Sequence, residues 1–404
     1  MSTVQLDNRL HMVGTQADRL LGLDRIVIGL WCAVLVIGIT GVGSASMEMS
    51  VTQYHYAFGY LLRHVVYVSA GVTAALVALI VPLQFWLKYG RLAFLIGLLL
   101  LAVVLFGRPV NGARRWLELH FFTVQPSEIM KVLYIVFLAR HLSLVGERIL
   151  ELRALLGVLA LLLLTCCLMV LEPDFGSAVV LSATTFGVLF LARAKLTHLG
   201  SFGVIALLAA GALILFQPYR LARVFAFTNP WAEQYGSGYQ LTQALIAFGR
   251  GSWLGTGIGD SIQKLFYLPE AHNDFLFAVI AEETGLFGAT VVIALLLGLA
   301  LRLLYVGRKA DEQGQQFGAY LAYGVGVLIA VQTFINVGVN TGLLPTKGLT
   351  LPFISYGGNS LIVSGALIGL VLRVHWETVH PPKGQLSVGH TRHKQPPQGR
   401  SRGN

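Results

Sequence analysis

Charge is what this chain has least of. Only 12% of its 404 residues are Asp, Glu, Lys or Arg, where a soluble domain carries roughly 25%. That deficit cannot be hidden inside a globular core, so a soluble protein is excluded. Cysteine is nearly absent as well. Cys32, Cys166 and Cys167 all lie in apolar runs, which excludes a disulfide framework and leaves them as small hydrophobic residues. The apolar runs show no apolar–polar alternation, which excludes the strands of an outer-membrane barrel. No tandem repeat and no soluble domain is visible. No cleavable leader is expected either: the first 25 residues are polar and charged, and the apolar stretch ahead of Ser44-Ala45-Ser46 is longer than the usual signal core, so it reads as an uncleaved anchor.

Apolar length is what the chain has most of. Its residues are 55% hydrophobic and its mean hydropathy is +0.70. Runs near the roughly 20 residues needed to cross a bilayer recur at 26–45, 64–82, 92–107, 129–146, 154–171, 177–193, 200–216, 275–301, 317–340 and 352–372. The fold class is therefore an all-α membrane protein of about ten spans. Short-loop Lys and Arg mark the cytoplasmic side. Placing Arg9, Arg19 and Arg25 there also places Lys88, Arg91, Arg140, Arg148, Arg153, Arg193, Lys195, Arg302, Arg308 and Lys309 inside. The even number of spans returns the basic tail (Lys383, Arg392, Lys394, Arg400 and Arg402) to the same side. The net charge of +10 is then a topology signal dispersed over loops, and nucleic acid is not an expected partner. Three regions follow: a cytoplasmic segment 1–24, a polytopic domain 25–374, and a disordered basic tail 375–404 rich in Pro, His and Gly.

Positive residues on the outer side run against this rule: Arg108, Arg114 and Arg115; Arg220, Arg223, Arg250 and Lys264; and Lys347. Either they compensate an anionic ligand or they are solvated loop charge. Many lie in the long loop 217–274 between the seventh and eighth spans, and a loop of that length usually has work to do. Within it, Gly238 to Phe248 reads as a short amphipathic helix and 249–259 as glycine turns. The last outer segment, 342–360, is broken by Gly and Pro at membrane depth. Such backbone is tolerated only where it is buried in protein or lines a wet cavity.

Ionisable residues at span ends carry the candidate chemistry. Asp274, after Glu270 and His272, opens the eighth span. Locally it reads as a helix cap or as a base at the mouth of an outer cavity. Glu282 follows eight residues on, on nearly the same face and ~12 Å deeper, and reads as a buried structural carboxyl. Glu128 and Lys131 are i,i+3 neighbours behind Pro126, either an ion pair or a device that aims Lys131 at an anion. Arg114 and Arg115 beside Trp116 suit bidentate phosphate recognition or an interfacial anchor. Asp174 sits in the tight turn Glu172-Pro173-Asp174, as an ordinary turn residue or as a group that orients a neighbour.

Taken together, VNGARRW at 110–116, QPSE at 125–128, EPDFGS at 172–177, GSGYQLTQALIAFGRG at 236–251, KLFYLPEAHNDFLFAVIAEETG at 264–285 and NTGLLPTKGLTLPFISYGGNS at 340–360 resemble the SEDS family (shape, elongation, division and sporulation). These are the membrane glycosyltransferases that polymerise bacterial peptidoglycan. The likeness covers roughly residues 25–374, with Asn273 standing where Thr is usual and Thr284 where Leu is usual. GSAS at 43–46 and LPTKGLTLPFISYGG at 344–358 are more similar to the cell-division branch than to the elongation branch. The resemblance implies lipid II as substrate and Asp274 as the catalytic residue. It places Arg114, Arg115, Lys131, Lys347, Glu128, Asp174, His272 and Ser355 around the substrate and its diphosphate, with a divalent cation (Mg²⁺ or Mn²⁺) as a candidate further counter-charge. It also implies a class B penicillin-binding protein transpeptidase and other divisome membrane proteins as partners, and a place in the bacterial inner membrane at the septum. A lipid II flippase is the competing expectation, since broken helices and buried charge fit transport as well. A scaffold that recruits division proteins through its tail is a third.

Overall fold

Backbone surrounded by lipid must satisfy its own hydrogen bonds, and helices do so within one segment. In the computed structural model, which describes residues 22–107, 114–119 and 122–381, those helices are α1 (Arg25–Tyr54), α2 (Gly59–Ile80), α3 (Leu83–Val104), α4 (Pro126–Val145), α5 (Leu152–Leu171), α6 (Phe175–Leu191), α7 (Leu196–Leu215), α8 (Pro218–Thr228), α9 (Tyr239–Gly251), α10 (Leu276–Glu312), α11 (Gln316–Asn340) and α12 (Gly358–Val379). Among the described residues, nine are long and apolar enough to cross a membrane, and α6, with 17 residues, is a shorter apolar helix. Together they account for the ten expected spans. The expectations for residues 1–21, Arg108, Asn111 and the tail beyond residue 381 lie outside the described residues.

Local chemistry sets the helix ends. The Asp24 carboxylate accepts from the amides of Ile26 and Val27 and so caps α1. Pro126 opens α4 at a position where a missing N–H costs nothing. Two features went unread in the sequence: helix α8, and a small antiparallel hairpin pairing Leu117–Leu119 with Phe122–Val124. The expected amphipathic helix in the long loop is α9, and Gly255, Gly257 and Gly259 behind it all have positive φ.

Helix α11 lies near the middle of the bundle, with 72% of its span buried. The packing of α2 on α12 depends on small residues at helical spacing. A Cβ on Gly365 would come within 2.2 Å of the Gly71 carbonyl oxygen, and one on Gly369 within 2.1 Å of that of Ala75. Without a hydrophobic force between helices in lipid, such close backbone approach supplies the attraction. At the other extreme, α7 has none of its span buried. On the face opposite the long loop, Asp24 pairs with Arg302 of α10 at 2.8 Å, and Arg373 pairs with Glu377 at 2.7 Å within α12.

Helix α10 corrects one expectation. At Gly285 the backbone leaves the helical region (φ 69°, ψ −170°), so Leu276–Thr284 is a separate short helix and the crossing helix starts behind it. Any side chain at Gly285 would collide with the Gly255 amide, 2.4 Å from the Cβ position. Glu282 therefore does not lie deeper along the crossing helix. The short helix runs beside α1, with Ile280 against Gly41 and Glu283 bonded to Ser44.

Replacing Gly369 with Leu is expected to overpack the α2–α12 contact and to destabilise the fold by about 1–3 kcal/mol, read as a lowered melting temperature of the purified protein. Gly29→Leu, at a position with nothing within 4 Å, should leave it unchanged. Equal melting temperatures for wild type and Gly369→Leu would contradict this packing.

Candidate active site on the loop-bearing face

The loop between α9 and α10 is fastened by two buried carboxylates. Glu282 accepts from the Ser261 hydroxyl and the amides of Ile262 and Gln263, and it pairs with Arg250 at 3.3 Å. Glu283 accepts from Ser44 and pairs with Lys264 at 2.9 Å. Arg250 and Lys264, read in the sequence as charge for an anionic ligand or as solvated loop charge, are thus engaged by these carboxylates, Lys264 within the protein and Arg250 at its surface.

The broken segment between α11 and α12 is buried, with Leu351, Phe353 and Ile354 at 2% exposure or less. Its backbone is satisfied by side chains of the spans, as buried irregular backbone must be. Asn336 donates to the Leu349 carbonyl at 2.6 Å and Gln332 to that of Thr350 at 3.5 Å. Arg223 of α8 donates to the Thr346 carbonyl at 3.0 Å. Phe353 holds φ at 65° and Glu270 at 56°, left-handed values that are uncommon for such residues and that cluster at functional sites.

Between these two segments sits Asp274. Asn336 and Asn340 both donate to its carbonyl oxygen at 3.0 Å, and Asn340 also accepts from the Ala278 amide, capping the short helix. The carboxylate lies against the Gly348 backbone, where a Cβ would come within 2.9 Å of Oδ2. Among the described residues nothing donates a hydrogen bond to that carboxylate. Burial, together with the charge on Glu270, raises the Asp274 pKa to about 7, while Arg223 and Arg115 pull the other way. The result is a proton acceptor poised near neutrality with cations beside it.

The other expected residues divide. Arg115 donates to the carbonyls of Glu172 and Pro173 and acts electrostatically on Asp274. Lys347, next to Gly348, holds its ammonium 4.0 Å from the Phe175 ring centre. Lys131 is 1% exposed and pairs with Glu128 at 2.7 Å, which leaves the second Glu128 oxygen without a partner. His272 is buried and its pKa is lowered by that burial. Three candidates are turned elsewhere. Arg114 is exposed and donates back to the Leu105 carbonyl. Asp174 caps α6 and accepts from Ser127 and Ser177 at 2.7 Å each. Ser355 is 2% exposed, and its hydroxyl takes the Leu351 amide. Among the described residues no group of three or more His, Cys, Asp or Glu could hold a metal ion. Sequence reading missed the roles of Asn336 and Asn340, although two Asn at i,i+4 on an apolar helix were a visible signal.

The FtsW, RodA and SpoVE family profile, described as cell cycle protein, matches residues 24–380. The chain belongs to this family. It is 49% identical over 362 residues to the probable peptidoglycan glycosyltransferase FtsW of Coxiella burnetii, covering 88% of this chain and 96% of that one. It is 47% identical over 375 residues to that of Thioalkalivibrio sulfidiphilus, covering 91% and 93%. Among solved structures, it is similar to a chain from work on coordination of polymerization and crosslinking by a peptidoglycan synthase complex (TM-score 0.73, 27% identity, 88% of this chain and 98% of that one). It is also similar to the rod shape determining protein RodA of Thermus thermophilus (TM-score 0.66, 26% identity, 88% and 97%). The FtsW/RodA/SpoVE likeness thus spans the whole bundle, and the chain is a multi-pass membrane protein.

Glu172 lies next to this site. It is fully buried, and neither carboxyl oxygen has a hydrogen-bond partner. Burial and the charge of Asp174 push its pKa up from the ordinary 4.5 to about 8, against the pull of Arg115. Below pH 4.5 folded and unfolded chains both carry this proton. Between about 4.5 and about 8 only the folded chain keeps it, so this contribution to stability is lost as pH rises. Wild type should therefore melt at a lower temperature at pH 8 than at pH 5, and Glu172→Gln, neutral at both, should show a smaller difference. Identical pH dependence in the two proteins would rule out this assignment.

Proposed function

We propose that this protein polymerises lipid II into glycan strands, with Asp274 as the general base of an inverting displacement. One observation carries the reading: a carboxylate near Arg115 and Arg223, raised to a pKa of about 7 and braced through its backbone by Asn336 and Asn340. The relatives' name, peptidoglycan glycosyltransferase, supports it.

In this reading Asp274 takes the proton as the acceptor's 4-hydroxyl O–H bond breaks. The hydroxyl oxygen forms a bond to C1 of the donor sugar. The bond from C1 to the diphosphate oxygen breaks, and its electron pair leaves with the undecaprenyl diphosphate. An α-linked diphosphate that yields a β-glycoside inverts once, so one base suffices and no covalent enzyme intermediate is required. The charge that accumulates on the diphosphate calls for preorganised cations. In this reading Arg115, Arg223 and Lys347 take that role, with Lys131, paired to Glu128, as a further cation. The polar groups gather on one face, which favours transfer over flipping. The donor and acceptor tails stay in the bilayer, so a site at the ends of spanning helices is where such substrates meet. A class B penicillin-binding protein and other divisome membrane proteins are the partners this reading calls for. The site faces outward from the inner membrane at the septum, with both termini cytoplasmic.

Asp274→Asn should leave the protein folded and lower polymerisation by about 10²–10⁴, measured with purified protein and lipid II, with and without Mg²⁺ or Mn²⁺. Because the base works as the carboxylate, the wild-type rate should rise with pH and level off above about 7, dropping about tenfold one unit below that pKa. Near-normal polymerisation by Asp274→Asn sinks the proposal. Arg115→Ala should slow donor use more than acceptor use, and equal effects would remove its diphosphate role.

A further inference from the structure

A cavity of about 570 Å³ opens where the loop-bearing ends of α1 and α2 meet the loop before α10 and the broken segment before α12. The transfer chemistry described above does not use it. Tyr54, Tyr60, Phe266, His272 and Tyr356 put rings on its wall. Tyr60 lies 5.3 Å from Tyr54, 4.9 Å from His272 and 5.3 Å from Tyr356, centre to centre. Two opposite charges, Arg63 and Glu270, also line it. Arg63 is held in place, donating to the Tyr54 hydroxyl at 2.7 Å with its guanidinium 4.5 Å from the centre of the same ring.

This lining differs from the surroundings of the Asp274 carboxylate. There Arg115 and Arg223 act on the carboxylate, an arrangement for an anion. Here one cation and one anion balance, and aromatic faces dominate. Large aromatic surfaces with a few fixed polar groups make a pocket for a mostly uncharged ligand that has both apolar faces and hydroxyls, which describes a pyranose ring. The cavity is also joined to Asp274. His272 precedes Asp274 by two positions, and the Tyr356 amide donates to the His272 carbonyl at 3.0 Å. A ring seated on Tyr60 and Tyr356 is therefore presented along the same stretch of chain that carries the base.

We infer that this cavity is a saccharide subsite, which holds an uncharged N-acetylated sugar of the acceptor strand beside Asp274. Its place in the reaction rests on the glycosyl-transfer reading, whereas its affinity for the sugar does not. The rings hold an uncharged sugar of the acceptor, while the arginines face the diphosphate that leaves from the donor.

The test is binding of a soluble β-1,4-linked N-acetylglucosamine tetramer to the full-length protein in detergent, by saturation-transfer NMR and titration. Thr52→Trp fills the cavity from an exposed position on its wall without removing any ring. Tyr60→Ala removes the central ring. Both should weaken tetramer binding by about tenfold or more, while Asp274→Asn should bind it as wild type does. No binding to wild type overturns the inference, as does unchanged binding in both cavity variants. So does a soluble acidic peptide that binds in the cavity's place and is lost in the same variants. The two readings fail separately: polymerisation that survives Asp274→Asn removes the base, while loss of the tetramer in the cavity variants still upholds the subsite.

Discussion

Everything on the loop-bearing face depends on how buried, non-helical backbone finds hydrogen bonds where there is no water. Chain that leaves the helical ladder inside a bilayer protein must be met by side chains, or it costs several kcal/mol per group. Here the spans supply them. Asn336, Asn340 and Gln332 of α11 hold the carbonyls of Asp274, Leu349 and Thr350. Glu282 collects two amides and a hydroxyl of the long loop. These polar side chains are what allow two irregular segments to meet at Asp274.

The same constraint sorts the charges. An unpaired ion is too costly to bury, so most charged groups inside the bundle are paired where they stand: Glu128 with Lys131, Glu283 with Lys264, and Asp24 with Arg302. Asp274 and Glu172 differ, each a carboxyl without a close ionic or hydrogen-bonding partner among the described residues, and both are pushed toward the neutral form. Glu172 is fully buried, whereas Asp274 is partly exposed.

Much of the site was legible because rare residues carry information in an apolar chain. Asp274, Lys131 and Arg115 stood out by their cost, and the Gly- and Pro-broken segment announced a buried irregular element. Other features were hidden for identifiable reasons. Arg114 and Arg115 are neighbours of one type, yet one turns to the end of α3 and the other to the α5–α6 turn. Asp174 and Ser355 face inward because local backbone claims them first. Arg63 and Tyr60 were passed over because a cavity shared among distant segments leaves no local pattern.

Composition and run length alone determined the class: a helical membrane protein of about ten spans, because lipid admits little else from so apolar a chain. They also marked which face would carry the costly polar groups, since positive charge there breaks the topology rule. Only the tertiary structure decided that the helix after Asp274 breaks at Gly285, that Glu282 and Glu283 fasten the loop, and that arginines act on the Asp274 carboxylate while a ring-lined cavity lies on the neighbouring His272. Those facts arise from contacts between segments far apart in the chain, and the chemistry of a carboxylate is set by what surrounds it in space.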